Sequence, residues 1–380
     1  MTKKKKKYTF RTFINDVHLW LGVASGIILF LVCLSGTILT FEKEIKSFFK
    51  EDFIVTAQTE LLTIEELRDK LEKEGEVTRV LIPTTHTTPY QFTVKTSPKQ
   101  RRGTTYYVNQ YTGDYTADTK TAIDDFFMTM FKLHRWLLLD IPIGRPIVGI
   151  ATIIFIILSI SGIVLWFPKK LKWKSFKPGF KIKFSANWKR INHDLHNTLG
   201  FYTCIFLLIM SLTGLCWSFE GYRNIASDVL GAKVFGNRGG GTKLTSNLKP
   251  HESPVSIATI LDTVNKEFPH QGKIYLSFPP NETGVYSVRK YNEEGLSPVI
   301  SDQLKLDLNA KVRSKEIFAE KPLNEKITAL IKPLHMGDIF GLFSKTIYFI
   351  ACLIATSLPV TGVIIWINKL KKKKKRKPKQ

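Results

Sequence analysis

Residues 16–22 read Asp16-Val17-His18-Leu19-Trp20-Leu21-Gly22, and residues 194–200 read Asp194-Leu195-His196-Asn197-Thr198-Leu199-Gly200. Asp, His, Leu and Gly recur at identical spacing. The register holds onward to Ser35-Gly36 against Thr213-Gly214 and to Phe41-Glu42 against Phe219-Glu220. A looser correspondence follows, Leu133-His134 against Leu334-His335, then Ser161-Gly162 with Trp166 against Thr361-Gly362 with Trp366. Self-similarity at a long, fixed offset is the signature of a repeated structural unit. Here it predicts a duplicated unit of span, polar module, span.

Each copy is bounded by apolar segments. Residues 17–41, 146–167, 197–219 and 346–368 contain no Asp, Glu, Lys or Arg. Each is long enough, as a helix, to cross the roughly 30 Å of a bilayer's hydrocarbon. The first is too long for a cleaved signal peptide and lacks a small-residue cleavage site, so it reads as a retained span. The expected fold class is therefore a mainly α membrane protein of four transmembrane helices with two small α+β modules. All four cysteines, Cys33, Cys204, Cys216 and Cys352, fall inside the apolar segments, with no C-x-x-C, C-x-x-C-H or zinc spacing. This excludes a disulfide scaffold, covalently attached haem and a cysteine-ligated iron–sulfur cluster.

The 380 residues include 56 Lys plus Arg against 32 Asp plus Glu, a net charge of +24. Such an excess raises the question of nucleic acid, but its distribution answers it. Basic residues concentrate at Lys3 to Lys7 with Arg11, at 169–190 and at 369–379, and each run abuts a span. These runs hold 24 of the 56 basic residues, and only Asp16 and Asp194 among the acids adjoin them. Basic clusters beside spans mark the cytoplasmic face and attract anionic lipid at roughly 1 kcal/mol per residue. The expected topology is a multi-pass protein of the cytoplasmic (inner) membrane with both termini cytoplasmic: a basic N-terminus at 1–16, spans at 17–41, 146–167, 197–219 and 346–368, a basic loop at 168–196 and a tail at 369–380. Residues 42–145, with an interfacial helix, and 220–345 would be extracytoplasmic. Nucleic acid is not an expected partner.

Both outer segments read as helix, strand, strand, strand: helix 63–74 with strands near 77–82, 90–95 and 104–108, and helix 256–268 with strands near 273–278, 284–290 and 304–308. The run Gly239-Gly240-Gly241 has no strand-to-helix context and reads as a loop, not a phosphate cradle. There is no nucleotide or flavin fingerprint.

The repeat gives every span a matched histidine, His18 and His196 at the cytoplasmic ends, His134 and His335 on the outer side. A neutral imidazole is a strong axial ligand for iron, and two of them on facing helices hold a non-covalent haem in a bundle core. The pattern thus points to two b-type haems, with His18, His196, His134 and His335 as axial ligands and His193, three residues before His196, as the alternative ligand there. Gly22 and Gly200 lie four residues after their histidines, about 40° around the helix, where a missing side chain admits a flat macrocycle. Gly36 and Gly214 come eighteen residues after the same histidines, five turns and roughly 27 Å along one face, beside the opposite pair. Close helix packing through small residues is an equally good reading of these glycines. Pro142, Gly144 and Pro146 are expected to break the chain between His134 and the second span, as Gly337 and Gly341 do after His335. His86, His251 and His270 read as ordinary surface residues.

These features together, H-x-x-x-G at His18 and His196, Ser/Thr-Gly near the span ends, and L-H at His134 and His335, resemble the PepSY-associated transmembrane-helix proteins over nearly the whole chain. They are similar in particular to the family's inner-membrane ferric-siderophore reductases, in which four spans carry two haems. The resemblance implies PepSY-like outer modules and an oxidoreductase that passes electrons across the membrane to a ferric chelate or siderophore during iron uptake. Lacking nucleotide motifs, such a protein would draw on a cytoplasmic-side donor or quinol. Two other classes compete. A chelate or metal transporter would place carboxylates near the span midplane, and these spans have none. A regulatory or structural membrane protein would use its PepSY modules for partner binding and its histidines as interhelical glue.

Overall fold

The computed structural model describes residues 8–50, 53–97, 100, 102–236, 244–246, 253–295 and 297–375. Gly239-Gly240-Gly241 and His251 lie outside them. Among the described residues, four helices are long and apolar enough to cross a membrane: Phe10–Leu39, Ile141–Trp166, Trp188–Ser218 and Gly341–Lys371. We call the first α1 (Phe10–Leu39). It is followed by α2 (Glu42–Phe49), α3 (Ile64–Leu71), strands β1 (Glu76–Ile82), β2 (Tyr90–Lys95), β3 (Thr104–Val108) and β4 (Tyr115–Ala117), then α4 (Ala122–Trp136) and α5 (Ile141–Trp166). A short α6 (Trp173–Phe176) leads to α7 (Trp188–Asp194), a π-helical turn (Leu195–Leu199) and α8 (Gly200–Ser218), which run on as one span. The order then recurs: α9 (Glu220–Leu230), α10 (Ile257–Glu267), β5 (Ile274–Ser277), β6 (Tyr286–Tyr291), β7 (Ser301–Leu306), β8 (Val312–Glu316), α11 (Leu323–Met336) and α12 (Gly341–Lys375).

In the bundle, α1 packs on α5 and α12, and α8 packs on the same two helices. α1 and α8 therefore stand diagonally across a common axis. The outward faces carry Ile27, Ile150, Ile153, Ile157 and Ile205, all exposed, as a lipid-facing surface requires. α2 and α9, which the sequence reading did not foresee, are short amphipathic helices that leave Phe48, Phe49, Ile225 and Val229 uncovered. That is the habit of helices lying in a membrane's interfacial plane.

The breaks fall at different places from those expected. α5 runs without interruption from Ile141 through Pro146. Pro142 occupies the first turn, where its missing N–H has no intrahelical partner to lose, and Pro146 forfeits a single bond. The chain turns instead at Leu137 and Leu138, both with positive φ (55° and 60°). On the other side Gly337 and Gly341 make the break as expected, at φ 75° and 59°.

Each outer segment has a fourth strand, β4 and β8, beyond the three expected. The larger difference is that the two segments share one sheet. β1 pairs antiparallel with β5 through Arg79↔Ser277, Val80↔Leu276, Leu81↔Tyr275 and Ile82↔Ile274, giving an eight-stranded sheet in the order β4-β3-β2-β1-β5-β6-β7-β8. α3 and α10 cover one face. Ile64, Leu67 and Leu71 of α3 and Ile257, Ile260 and Val264 of α10 join Val80, Phe92, Leu276, Val288 and Leu304 in a continuous core. The seam is also polar, since Glu65 Oε1 accepts from the first backbone N–H of α10 at Ile257, an anion where a helix N-terminus favours one.

Candidate functional site

The diagonal placement of α1 and α8 brings His18 and His196 face to face inside the bundle. Their ring centroids lie 6.3 Å apart with the planes at 87°. His18 belongs to the regular part of α1, but His196 sits in the π turn, which adds a residue and changes the direction in which its side chain projects. The sequence carries no mark of this turn, because the spacing from histidine to glycine is eighteen in both copies. His193 is half-exposed, with Nδ1 3.6 Å from Asp194 Oδ1, and lines a cavity together with His18 and His196. It does not meet His18.

At the sheet-bearing end, His134 comes from α4 and His335 from α11. α4 packs against α1 and α5, and α11 against α8 and α9. Their rings face each other with centroids 6.2 Å apart and planes at 56°. α4 is held by a capping box in which Thr121 Oγ1 accepts from the Asp124 N–H and Asp124 accepts from the Thr121 N–H at 3.0 Å. Asp124 also receives Lys46 of α2 at 3.2 Å. Burial raises the Asp124 carboxyl, but the Thr121 bonds and the Lys46 ammonium outweigh it and hold the group down at about 2.

All four imidazoles are anchored alike. His134 Nδ1 lies 2.9 Å from the Val32 carbonyl and 3.5 Å from Ser35 Oγ. His335 Nδ1 lies 2.9 Å from the Met210 carbonyl and 3.2 Å from Thr213 Oγ1. His18 Nδ1 is 2.8 Å from Ser161 Oγ, and His196 Nδ1 is 2.9 Å from Thr361 Oγ1. A carbonyl can only accept, so Nδ1 carries the proton in His134 and His335. Ser161 and Thr361 donate their own hydroxyl hydrogens to Leu158 and Ser357 carbonyls at 3.1 and 3.0 Å, so they too accept from Nδ1–H. In every case the basic nitrogen left over is Nε2.

The glycine beside each hydroxyl makes the room. A Cβ on Gly36 would stand 3.0 Å from His134 Cε1, and one on Gly214 would stand 3.0 Å from His335 Cε1. On Gly162 and Gly362 it would stand 3.5 and 3.3 Å from His18 and His196 Cε1. Each Ser/Thr-Gly dipeptide is thus a seat for a histidine from another helix. Ser161-Gly162 and Thr361-Gly362, which mark the repeat in the sequence, belong to the site in the folded chain. Gly22 and Gly200 do something else. Their nearest neighbours are Leu158 and Leu358 at ordinary contact distance, and both line a cavity of about 570 Å³ that also contains His18, His196, Arg11, Lys169 and Lys369.

Two nitrogens at each end cannot by themselves satisfy a bare transition-metal ion, which takes four or more donors. No group of three or more His, Cys, Asp or Glu side chains converges among the described residues. Each pair could hold a metal that brought most of its own ligands and took the rest from two imidazole nitrogens. The ring centroids, 6.3 and 6.2 Å apart, leave room for one such metal between the rings of each pair.

The family model described as the PepSY-associated TM region matches residues 16–369. The chain belongs to that family. The match takes in the paired histidines, their Ser/Thr-Gly seats and the sheet of this PepSY-associated transmembrane protein. No curated protein matches its sequence.

Proposed function

We propose that this protein is a di-haem, b-type electron-transfer protein of the cytoplasmic membrane that reduces ferric chelates on the sheet-bearing side. The reading rests on one observation above others: two pairs of imidazoles, each held by an Nδ1–H bond that leaves Nε2 as its basic nitrogen, with ring centroids 6.3 and 6.2 Å apart. The residues fit the group. His18 and His196 would hold one haem and His134 and His335 the other, with Gly22 and Gly200 clearing space and Arg11, Lys169 and Lys369 offering positive charge to its carboxylates. A bound haem supplies a one-electron couple whose potential depends on axial ligands, burial and hydrogen bonding.

The chain's own residues do the rest. The Ser/Thr-Gly seats fix the tautomer and orientation of each imidazole, raising its basicity as a ligand. Between the two pairs, α1 rises about 21 Å from His18 to Val32, and Leu29, Leu207, Ala351 and Ala355 fill that stretch of the bundle without a charge. Such packing keeps water and ions out of the path. Basic runs at the end bearing His18 and His196 support a cytoplasmic placement for it, so electrons would run from a cytoplasmic or quinol donor toward the sheet. The recurring order of elements supports descent from a duplicated unit, with each helix and its four strands a PepSY-like module.

The test is spectroscopic. Protein purified from cells supplied with haem should show a b-type spectrum, oxidised and dithionite-reduced, and His18→Ala and His134→Ala should each remove about half of the pyridine haemochrome signal. Preparations with no b-type signal would sink the proposal and leave the regulatory reading. Loss of only one haem across all four alanine variants would reduce the protein to a single site. Reduction of a ferric chelate by the pre-reduced protein checks the activity itself.

A further inference from the structure

A second cavity, of about 1210 Å³, lies between the sheet and the end of the bundle. The sheet's second half faces it with the side that α10 does not cover. Strand alternation puts Leu276, Val288 and Leu304 in the core and Tyr275, Arg289, Tyr291 and Gln303 on the cavity wall, with Lys273 beside them. The opposite wall is α11, together with Lys43 of α2 and Lys345 of α12. α11 lines the cavity with Lys332 and Pro333 and carries His335 three and two residues further along the same helix. The cavity thus adjoins the helix that bears one histidine of the sheet-side pair.

Its charge is not balanced. Lys345 is tied to Glu44 at 2.5 Å and Lys321 to Glu316 at 2.6 Å, and Lys315 is spent on Glu267 at 2.8 Å. Lys43, Lys273 and Arg289 have no carboxylate within ion-pair distance among the described residues, and Lys43 acts on Asp338 at longer range. Glu320 stays exposed at the rim, and Glu325 reaches Lys321 only at 4.0 Å. Asp338 is the remaining acid of the lining, and burial pushes its carboxyl up, against the pull of Lys43, Lys332 and Lys345. The aromatic part is organised as well. Tyr275 and Tyr291 have ring centroids 5.5 Å apart, and Lys273 Nζ sits 5.2 Å over the Tyr291 ring.

Cations with no carboxylate in ion-pair reach, beside two phenol rings tilted at 57° to each other, in a cavity large enough for a drug-sized ligand, select a ligand that is anionic and carries planar rings. Charge would be met by Arg289, Lys273 and Lys43, and flat apolar surface by the two tyrosines. We propose that this cavity is the substrate site and that its substrate class is the multiply anionic, aromatic ferric chelate, as opposed to a neutral one. This rests on the electron-transfer reading above and gives it a docking place beside the outer pair.

The probe is gallium(III) tris-catecholate, a redox-silent trianion, titrated by calorimetry against the full-length protein in zwitterionic nanodiscs, with a neutral gallium trihydroxamate as comparison. Binding of the catecholate, weakened about tenfold or more by Arg289→Glu and by Lys273→Glu and by Tyr291→Ala, with the neutral complex binding much less, is the expected result. Equal binding in the variants, no binding, or preference for the neutral complex would overturn it. Capture of the probe only when anionic lipid is absent, with competition by anionic vesicles, would instead assign the cavity to lipid headgroups. The retained haem spectrum, or the fold of the outer region by circular dichroism, shows that each variant is intact. Because gallium is not reduced, binding here and loss of haem are independent outcomes: the site can stand while the electron-transfer reading falls, and the reverse.

Discussion

At the scale of single residues, the histidine seats differ in a way that variants can read. At the sheet end the closest Nδ1 partners are the Val32 and Met210 carbonyls, at 2.9 Å each, which no side-chain substitution removes. At the other end the closest partners are the hydroxyls of Ser161 and Thr361, with the Leu158 and Leu358 carbonyls as further backbone partners. Ser161→Ala and Thr361→Val should therefore cost about 10-fold in retention of the ligated group, the lower end for a lost ligand-orienting bond, seen as loss of one haem on dilution or dialysis. Ser35→Ala and Thr213→Val, which leave the closer carbonyl in place, should cost less. The glycines reverse the ranking. Gly36→Ala and Gly214→Ala place a Cβ 3.0 Å from an imidazole carbon and should push the sheet-side ring by a few tenths of an ångström and weaken retention of its ligated group, whereas Gly162→Ala, at 3.5 Å, should be tolerated. Absorbance ratios of the purified variants check both statements. Of these positions, the histidines and Gly36 and Gly214 were legible from spacing. That the neighbouring hydroxyls and Gly162 and Gly362 serve histidines from other helices was not, because the contacts join residues more than 95 positions apart.

At the scale of elements, α4 carries His134 on a short helix whose placement depends on its first turn. Asp124 is the hub, bonded to Thr121 and to Lys46 of α2. Its folded value of about 2 lies below the ordinary carboxylate value of 3.8, so this tie adds stability above that ordinary value and loses it as pH falls through about 2. Asp124→Asn should lower the melting temperature at neutral pH, and the gap to the unaltered protein should close in acid. A melt series from pH 7 to pH 2 measures this; a gap constant across the series would contradict it. The π turn is the second element with a clear consequence. Deleting Asn197 would restore α-helical winding and turn His196 about 100° away from its present direction. The pair with His18 should be lost while the sheet-side pair stays spectroscopically intact.

At the scale of the whole molecule, the β1–β5 pairing makes one folding unit of two sequence-distant segments. Leu276 lies at the seam with no exposure and packs in the core shared by α3 and α10. Leu276→Ala should cost about 2–5 kcal/mol, and calorimetry should show both halves of the sheet melting together at a lower temperature. Two separate transitions would mean independent modules. The amino-acid sequence by itself determined the four apolar helices, the repeat, the helix-and-strand makeup of the outer segments and the histidines with their glycines, because hydrophobic period, charge-free length and motif spacing are local properties of the chain. Only the tertiary structure decided that the outer segments close into one sheet, that the break falls at Leu137 and Leu138, that His196 and not His193 faces His18, and which Ser/Thr-Gly seat receives which imidazole. Those outcomes depend on which edges and faces meet across the bundle, and a strand edge or a helix face carries no address in sequence for its distant partner.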